Sequence, residues 1–588
     1  MKRFAKIKSL FGILWECFRI KPVLFIILIL ADIAVGPLAA LSTKLLGDLV
    51  GTVTDAFQTG VLRMVFLSLL WVLLTGAASA LARCVGFACE GKIRIGLEKY
   101  VQTNLMKITD NVDYLQFISE DFQEELSTVT DGFGTELLFS FRAPFDILTS
   151  GISLISYLIL VTQTAGFIAI VAFALTVTAA TIVRFVYFHD FFSLLRKTRM
   201  LKLKRDYLIS LYHDPNVYAE MLLFGTKRIL DSRFAEVFKA YEAENIALTL
   251  KQSRRSVLFS VLVGTVTSVS LLLCFLMGKV SDASAMTVIV LSFISLLTSA
   301  DSFGTDLSEI EGLLLGSQAY LSFRKKYADD DAKAEAIPRL PDTDAIDLRA
   351  VSFGYGDDLV LNGVDMQVRP GQMAALVGEN GSGKTTLANI ILGIYEKGAG
   401  EALIFGRDAY KARKSGALDS VAVFQEFGMF NGHTLAENIT FGDPVDERRR
   451  HLIDTLLPDA DLKTIVGNEF EGRDFSGGEW QKIALARCAS VDAPLMILDE
   501  PTAALDPMAE AEVFERFMEA NRGKTAVLIT HRLGAVRNAD VIFVLKDGVI
   551  AEHGTHEELM QRKGYYCEMF NAQAQWYDPD VQKGGAAQ

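Results

Sequence analysis

Residues 378–385 read Gly378-Glu379-Asn380-Gly381-Ser382-Gly383-Lys384-Thr385, a G-x-x-x-x-G-K-T pattern. Its glycines permit backbone turns that aim successive N–H groups at phosphate oxygens. In such a loop Lys384 reaches the terminal phosphates and Thr385 offers its hydroxyl to Mg²⁺. The apolar run Met373–Val377 before it predicts a strand. Thr386-Leu-Ala-Asn-Ile-Ile-Leu392 after it has helical spacing, so a helix N-terminus faces the anion. Strand, loop and helix in this order distinguish a phosphate site from an ordinary Gly-rich turn and predict an α/β P-loop ATPase.

A second pair of motifs narrows the type of ATPase. Phe475-Ser476-Gly477-Gly478-Glu479 precedes a helical stretch, Ile483–Ala489. The run Leu495–Leu498 reads as a buried strand that ends in two carboxylates, Asp499 and Glu500. One carboxylate can hold Mg²⁺ through water, and the next can orient or deprotonate an attacking water. Singly, a Ser-Gly-Gly turn is bland and an Asp-Glu pair is a solvated loop; together, in this order, they are specific.

On these residues the chain resembles the ATP-binding cassette family over nearly its whole length. The resemblance makes Gly378–Thr385 the Walker A loop, with Thr386 completing the ATP contacts. Ser476, Gly477, Gly478 and Glu479 become the signature loop, which meets ATP held by a partner cassette. Leu495–Asp499 becomes Walker B, Glu500 the catalytic glutamate, and Asp506 in Ala504-Leu-Asp the D-loop aspartate. His531, after Ala526–Thr530, matches the switch histidine, and Gln425 in Val-Phe-Gln-Glu matches the Q-loop. Tyr355, in Phe-Gly-Tyr-Gly, stands where the family places an aromatic that stacks on adenine. ATP and Mg²⁺ are the implied cofactors, with Thr385, Gln425 and Asp499 at the metal. Two positions depart from the usual signature: Phe475 replaces Leu and Glu479 replaces Gln. Phe keeps an apolar anchor, and a carboxylate suits a helix N-terminus. Glu479 is expected to retune contact with the partner's nucleotide.

The remainder of the chain reads as membrane. Of 588 residues, 51% are hydrophobic, and mean hydropathy is +0.29. A net charge of −13 argues against a general nucleic-acid binder. The six cysteines lack paired spacing and read as apolar fillers, not a disulfide or zinc framework. A bilayer span needs about 20 apolar residues. Candidates fall at Val23–Leu41, Met64–Leu81, Pro144–Val161, Ala165–Val186, Val257–Gly278 and Ala285–Ala300. Thr162-Gln-Thr164 leaves room for only a tight hairpin between the third and fourth. The polar stretches from Arg83 to Arg142 and from Phe188 to Arg255 read as spans continuing into the cytosol as helical extensions.

Basic residues set the expected orientation. Lys2, Arg3, Lys6, Lys8, Arg19 and Lys21 cluster before the first span, and Arg196 to Arg205 follow the fourth, whereas alternate loops hold little beyond Lys44 and Lys279. Each cluster also reads as a solvated helix face; the asymmetry is what places the N-terminus and the ATPase in the cytosol of a multi-pass plasma-membrane protein. Leu10, Ile13, Leu14, Cys17 and Phe18, with Trp15 beside them, predict an interfacial helix and not a cleaved signal peptide.

The expected organisation is an interfacial helix (1–22), a six-helix transmembrane domain (23–327), a linker with Asp329-Asp-Asp331 (328–345), a nucleotide-binding domain (346–575) and a flexible tail (576–588). Six spans with long cytosolic extensions, followed by a cassette, resemble the type IV exporter half-transporter. That resemblance implies crosswise docking helices near Asp113–Phe122 and Asn216–Phe224. It also implies a second half-transporter as partner, a homodimer in preference to a heterodimer, and ATP-driven export by alternating access. Glu220–Arg228, Thr434–Ile439 and Gly478–Arg487 are more weakly similar to exporters of bacterial peptides such as lanthipeptides; drug and lipid exporters or flippases share most of these pieces. A nucleotide-gated channel on the same scaffold is the other alternative. With no domain ahead of the first span, no leader-cleaving peptidase is expected. Within the first span Asp32 stands out, because a carboxylate there costs about 2.5–3.5 kcal/mol on insertion scales. It reads either as part of a path for a cationic substrate or as a structural partner of a neighbouring span. Arg142 and Asp146 read as an interfacial ion pair.

Overall fold

The computed structural model describes residues 2–59, 62–132, 141–166, 168–277, 282–328, 339–340, 342–356, 358–417, 419–458, 460–501, 507–531 and 535–575. The chain forms two compact units: residues 1–112 with 119–329, and residues 113–118 with 330–588.

The first unit is helical. Its long helices are Pro22–Thr59, Arg63–Asn111, Ala143–Ala165, Ile168–His213, Lys227–Met277 and Ala283–Tyr327. Apolar side chains dominate them, and interspersed hydroxyls bond back to their own helix, as Thr43 does to Ala39 O (3.1 Å) and Ser153 to Thr149 O (2.7 Å). Such bonds satisfy polar groups without water, as a bilayer-spanning helix requires. Pro22–Thr59 passes through Pro37 without ending. Beside it, Gly36 lets this helix press on Ala143–Ala165: a Cβ at Gly36 would lie 2.8 Å from Ser153 N. Small residues at such crossings let helix backbones approach closely. Ala40, Tyr157, Leu160, Val288 and Leu296 form the buried knot around which three of the helices meet.

Each of the six expected spans lies largely on one of these helices. Among the described residues, Pro22–Thr59, Arg63–Asn111, Ala143–Ala165 and Ala283–Leu307 are long and apolar enough to cross a membrane. The other two carry shorter apolar stretches, Ile170–Ala179 and Ser260–Leu273. The hairpin expected at 162–164 is displaced. Those residues are helical, and the helix ends at Gly166, whose φ of 75° is a conformation open to glycine. The N-terminal segment is the helix Lys2–Ile20, with Ile13 and Cys17 buried and Phe11 and Trp15 exposed.

The docking helix expected at 113–122 is two helices, Tyr114–Phe117 and Glu120–Gly132. Ser119 breaks it: its hydroxyl accepts Phe122 N at 3.4 Å, and Glu120 and Asp121 fill the first turn of a new helix. The second expected docking helix is Pro215–Phe224.

The second unit is α/β. Strands β1 (Ile346–Tyr355), β2 (Asp358–Val368), β4 (Ala399–Ile404) and β5 (Arg407–Asp408) make an antiparallel sheet in the order β2-β1-β4-β5. The other sheet has the order β10-β9-β3-β8-β7-β6. It comprises β3 (Met373–Val377), β6 (Ser420–Val423), β7 (Leu495–Asp499), β8 (Thr525–Ile529), β9 (Val541–Lys546) and β10 (Val549–Gly554). Every residue of β7 and β8 is buried, as expected of parallel strands covered on both faces. The order places the C-terminal ends of β3, β8 and β7 side by side, and loops leaving neighbouring strand ends are where ligands bind in such sheets. The tail expected at 576–588 and most of the expected linker lie outside the described residues.

Candidate functional site

The loop 378–383 joins β3 to the helix Lys384–Ile391. A Cβ at Gly378 would sit 2.2 Å from Leu545 O, and one at Gly383 would sit 2.8 Å from Leu361 Cδ2, so both positions require glycine. Lys384 Nζ donates to the loop carbonyls of Gly378 and Glu379, both at 2.9 Å. Burial pulls the Lys384 pKa below its ordinary value, while the charges of Asp499 and Glu500 pull it back up. Thr385 Oγ1 donates to Asp499 Oδ2 at 3.2 Å. Asp499 is 5% exposed. Burial raises its pKa; the Thr385 hydrogen bond and Lys384 oppose this, and Glu500 adds to it. Ser382 and Thr386 are buried in the same turn, whereas Asn380 and Gly381 are exposed at the loop's mouth.

Glu500 follows β7 with a positive φ of 47°, held by its N–H donating to Ile529 O at 2.9 Å. A non-glycine residue there is strained, and such strain clusters at functional sites. Its Oε1 lies 2.6 Å from His531 Nδ1. The sheet thus brings together Lys384, Thr385, Asp499, Glu500 and His531, residues spread over almost 150 positions of sequence. Gln425 is exposed just beyond the end of β6. Tyr355 Oη lies 3.3 Å from Thr386 Oγ1, and its half-exposed ring stands edge-on to Tyr395, with centroids 6.0 Å apart. Asp506 lies outside the described residues.

Ser476, Gly477, Gly478 and Glu479 open the helix Gly477–Ser490. Ser476 is the N-cap and Glu479 completes a capping box: Glu479 Oε2 accepts from Ser476 N (2.8 Å) and from its hydroxyl (3.0 Å), and Glu479 N donates back to Ser476 Oγ (3.3 Å). These bonds explain the unusual glutamate in physical terms, since S-x-x-E is a helix-start signature. The bond from the Ser476 backbone lowers the Glu479 pKa, and Arg473 adds to the effect with its Nη2 2.6 Å from Oε1. The helix reaches Glu500 through Gln481, whose amide donates to Glu500 O at 3.3 Å.

The fold adds contacts that the sequence motifs do not name. Arg473 could have been found, because a cation three residues ahead of a capping-box serine can reach its glutamate. Tyr395 stacks on Phe353 at 5.3 Å and holds the ring of Tyr114, on the short helix Tyr114–Phe117, at 6.0 Å. Beside it, Asp113 accepts from Tyr410 and pairs with Lys414 at 2.8 Å. No local pattern announces these long-range pairs.

In the helical unit Asp32 is 1% exposed, and its Oδ1 is 3.4 Å from Arg142 Nη2. Arg142 also pairs with Glu90 (3.2 Å) and Asp146 (2.8 Å). The expected Arg142–Asp146 pair is therefore part of a larger cluster that supplies Asp32 with a counterion from the N-cap of another helix.

A family model described as "ABC transporter" matches residues 361–503. The subtilin transport ATP-binding protein SpaT of Bacillus subtilis is 27% identical over 94% of this chain and 92% of its own length. An ATP-dependent lipid A-core flippase of Syntrophus aciditrophicus is 35% identical over 42% of this chain and 41% of its own. That of Escherichia coli strain K12 is 29% identical over 60% and 63%. A bacterial Atm1-family ABC exporter solved with ATP bound superimposes with a TM-score of 0.67 at 21% identity, covering 95% of this chain and 98% of the other.

Proposed function

We propose that this chain is an ATP-driven exporter of the ABC transporter kind, which hydrolyses ATP and works as one of two identical half-transporters. The observation that carries this reading is the convergence of Lys384, Thr385, Asp499, Glu500 and His531 on one end of a sheet, in a chain whose other unit is built of apolar helices. All six long helices serve as spans, with the N-terminus and the ATPase on the cytosolic side of the plasma membrane. Glu500 acts as general base on the attacking water, and His531, 2.6 Å away, orients it. Lys384 leaves its loop carbonyls for the terminal phosphates. Tyr355 stacks on the adenine. Thr385 and Asp499, with Gln425, offer the hard oxygen donors that Mg²⁺ favours, and the 3.2 Å approach of the first two fits a shared ion. Bound there, the ion would neutralise charge on the β- and γ-phosphates.

Ser476, Gly477, Gly478, Glu479 and Asp506 complete the site of the other subunit. Glu479 is no obstacle to a homodimer, because Arg473 and its own capping box hold its charge. ATP shared across the seam favours one state of the spans by differential binding, and hydrolysis releases it. The exported substrate is proposed to be a peptide, on the likeness to SpaT along almost the full chain. The test is ATPase activity of the purified protein in lipid, screened against cationic peptides, lipids and hydrophobic drugs. Glu500→Gln should bind ATP normally and lose roughly 10²–10⁴-fold in turnover, the usual contribution of a positioned base. Wild-type hydrolysis by Glu500→Gln would remove Glu500 from the mechanism; stimulation by lipids alone would remove the peptide.

A further inference from the structure

We propose that the C-terminal helix Tyr565–Gln575 positions both halves of the ATP site, Tyr565 by holding Glu379 of the phosphate loop and Gln573 by holding the backbone of His531. Tyr565 Oη donates to Glu379 Oε1, and Gln573 Nε2 donates to His531 O at 2.7 Å. The two contacts lie eight residues apart, about 12 Å along one helix. One rigid rod therefore touches the loop that grips phosphate and the loop that carries the switch histidine.

The rod is well anchored. Glu552 of β10 caps its first turn, with Oε1 accepting from Tyr565 N (2.6 Å) and Oε2 from Tyr566 N (3.1 Å). A Cβ at Gly564 would fall 2.1 Å from Glu552 Oε1, so the approach depends on that glycine. Tyr566 is fully buried and bonds His556 Nδ1 at 2.9 Å. Lys546 Nζ stands 4.2 Å above the Tyr565 ring, placing a positive charge beside the Tyr565–Glu379 pair.

The chemistry gives the two contacts different tasks. Glu379 is the second residue of a loop that must accept a highly charged triphosphate, and a mobile carboxylate there repels it. Tyr565 fixes that carboxylate on a neutral donor, and the same bond pushes the phenol up to about 12. Tyr565 therefore acts on ATP capture. Gln573 bonds the main chain of His531, whose ring meets Glu500, so it acts on the hydrolytic step. Both are positioning residues.

This inference rests on the assignment of 378–386 as the ATP cradle and of Glu500 with His531 as the hydrolytic pair. The test is steady-state ATPase of the full-length protein in lipid. Tyr565→Phe should raise KM for ATP roughly three- to tenfold with kcat nearly unchanged, because it removes one exposed hydrogen bond. In a Glu379→Gln background the same change should leave KM where it is, since no carboxylate is freed. Gln573→Ala should lower kcat by a similar factor with KM nearly unchanged. Wild-type values for both single variants would overturn the proposal, as would KM and kcat moving together in both. Equal KM increases for Tyr565→Phe with and without Glu379 would overturn the Tyr565 assignment. Lys384→Ala is the control: if it keeps wild-type KM, the cradle assignment itself fails, and if it loses activity while the other variants do not, only this inference does.

Discussion

Arg473→Ala separates what holds the signature turn from what faces the nucleotide across the proposed dimer. Arg473 and Glu479 meet at 2.6 Å, but their side chains are 61% and 36% exposed. Exposed pairs are worth about 0.2–1 kcal/mol, so the substitution should cost the cassette less than about 1 kcal/mol of stability. Glu479 keeps its capping bonds to Ser476 and remains ionised. What changes is the charge at the helix N-terminus, which falls by one unit. At about 10 Å in a water-like dielectric, one unit charge repels another by about 0.4 kcal/mol. Against a triphosphate of about −3 to −4 that sums to about 1–2 kcal/mol, or a roughly five- to thirtyfold rise in KM for ATP. Glu479→Gln in the same chain should reverse the rise. The assay is steady-state ATPase of Arg473→Ala, Glu479→Gln and the double variant at low ionic strength, where surface charge is least screened, beside denaturant unfolding of each. Unchanged KM in a normally folded Arg473→Ala would refute the reasoning, because no triphosphate would then approach Glu479.

Gly378→Ala should abolish tight nucleotide binding, because its Cβ would meet Leu545 O at 2.2 Å and the loop must shift; wild-type affinity in a nucleotide titration would contradict the loop geometry. Asp32→Asn should destabilise the helical unit by about 1–3 kcal/mol while keeping stimulated ATPase, because Arg142 retains Glu90 and Asp146; lost stimulation at normal stability would make Asp32 part of the substrate path. Glu479 should stabilise the cassette above its ordinary pKa of 4.5, with the contribution lost as pH falls through the lower folded value. The stability gap between wild type and Glu479→Gln should therefore close on acidification, as followed by denaturant unfolding at stepped pH.

Local sequence carried the reading wherever one contiguous segment contains its own chemistry. Gly378–Thr385 declares a phosphate loop because its backbone turns and its lysine are all within eight residues. Leu495–Glu500 declares a buried strand with two carboxylates at its end. Long apolar helices are equally legible, since helix length and apolarity are properties of one stretch, and the difference at 162–164 is the few residues by which a helix end is set by its turn glycine. The segment 113–122 reads as one helix from its sequence because the break depends on a single hydroxyl, Ser119, bonding a backbone N–H three residues on.

Tertiary structure decided what distant segments do to each other. Glu500 and His531 meet because β7 and β8 are paired in parallel, and nothing in either strand's composition names its neighbour. Asp32 reads as an isolated charge in a span until Arg142, 110 residues later, is packed against it. Tyr565 and Gln573 stand on a helix whose own sequence is unremarkable, and only its docking puts them on Glu379 and His531. A pattern along the chain records periodicity and local bonding. Partnership across the fold is set by the order of strands and the approach of helices, which a one-dimensional pattern does not encode.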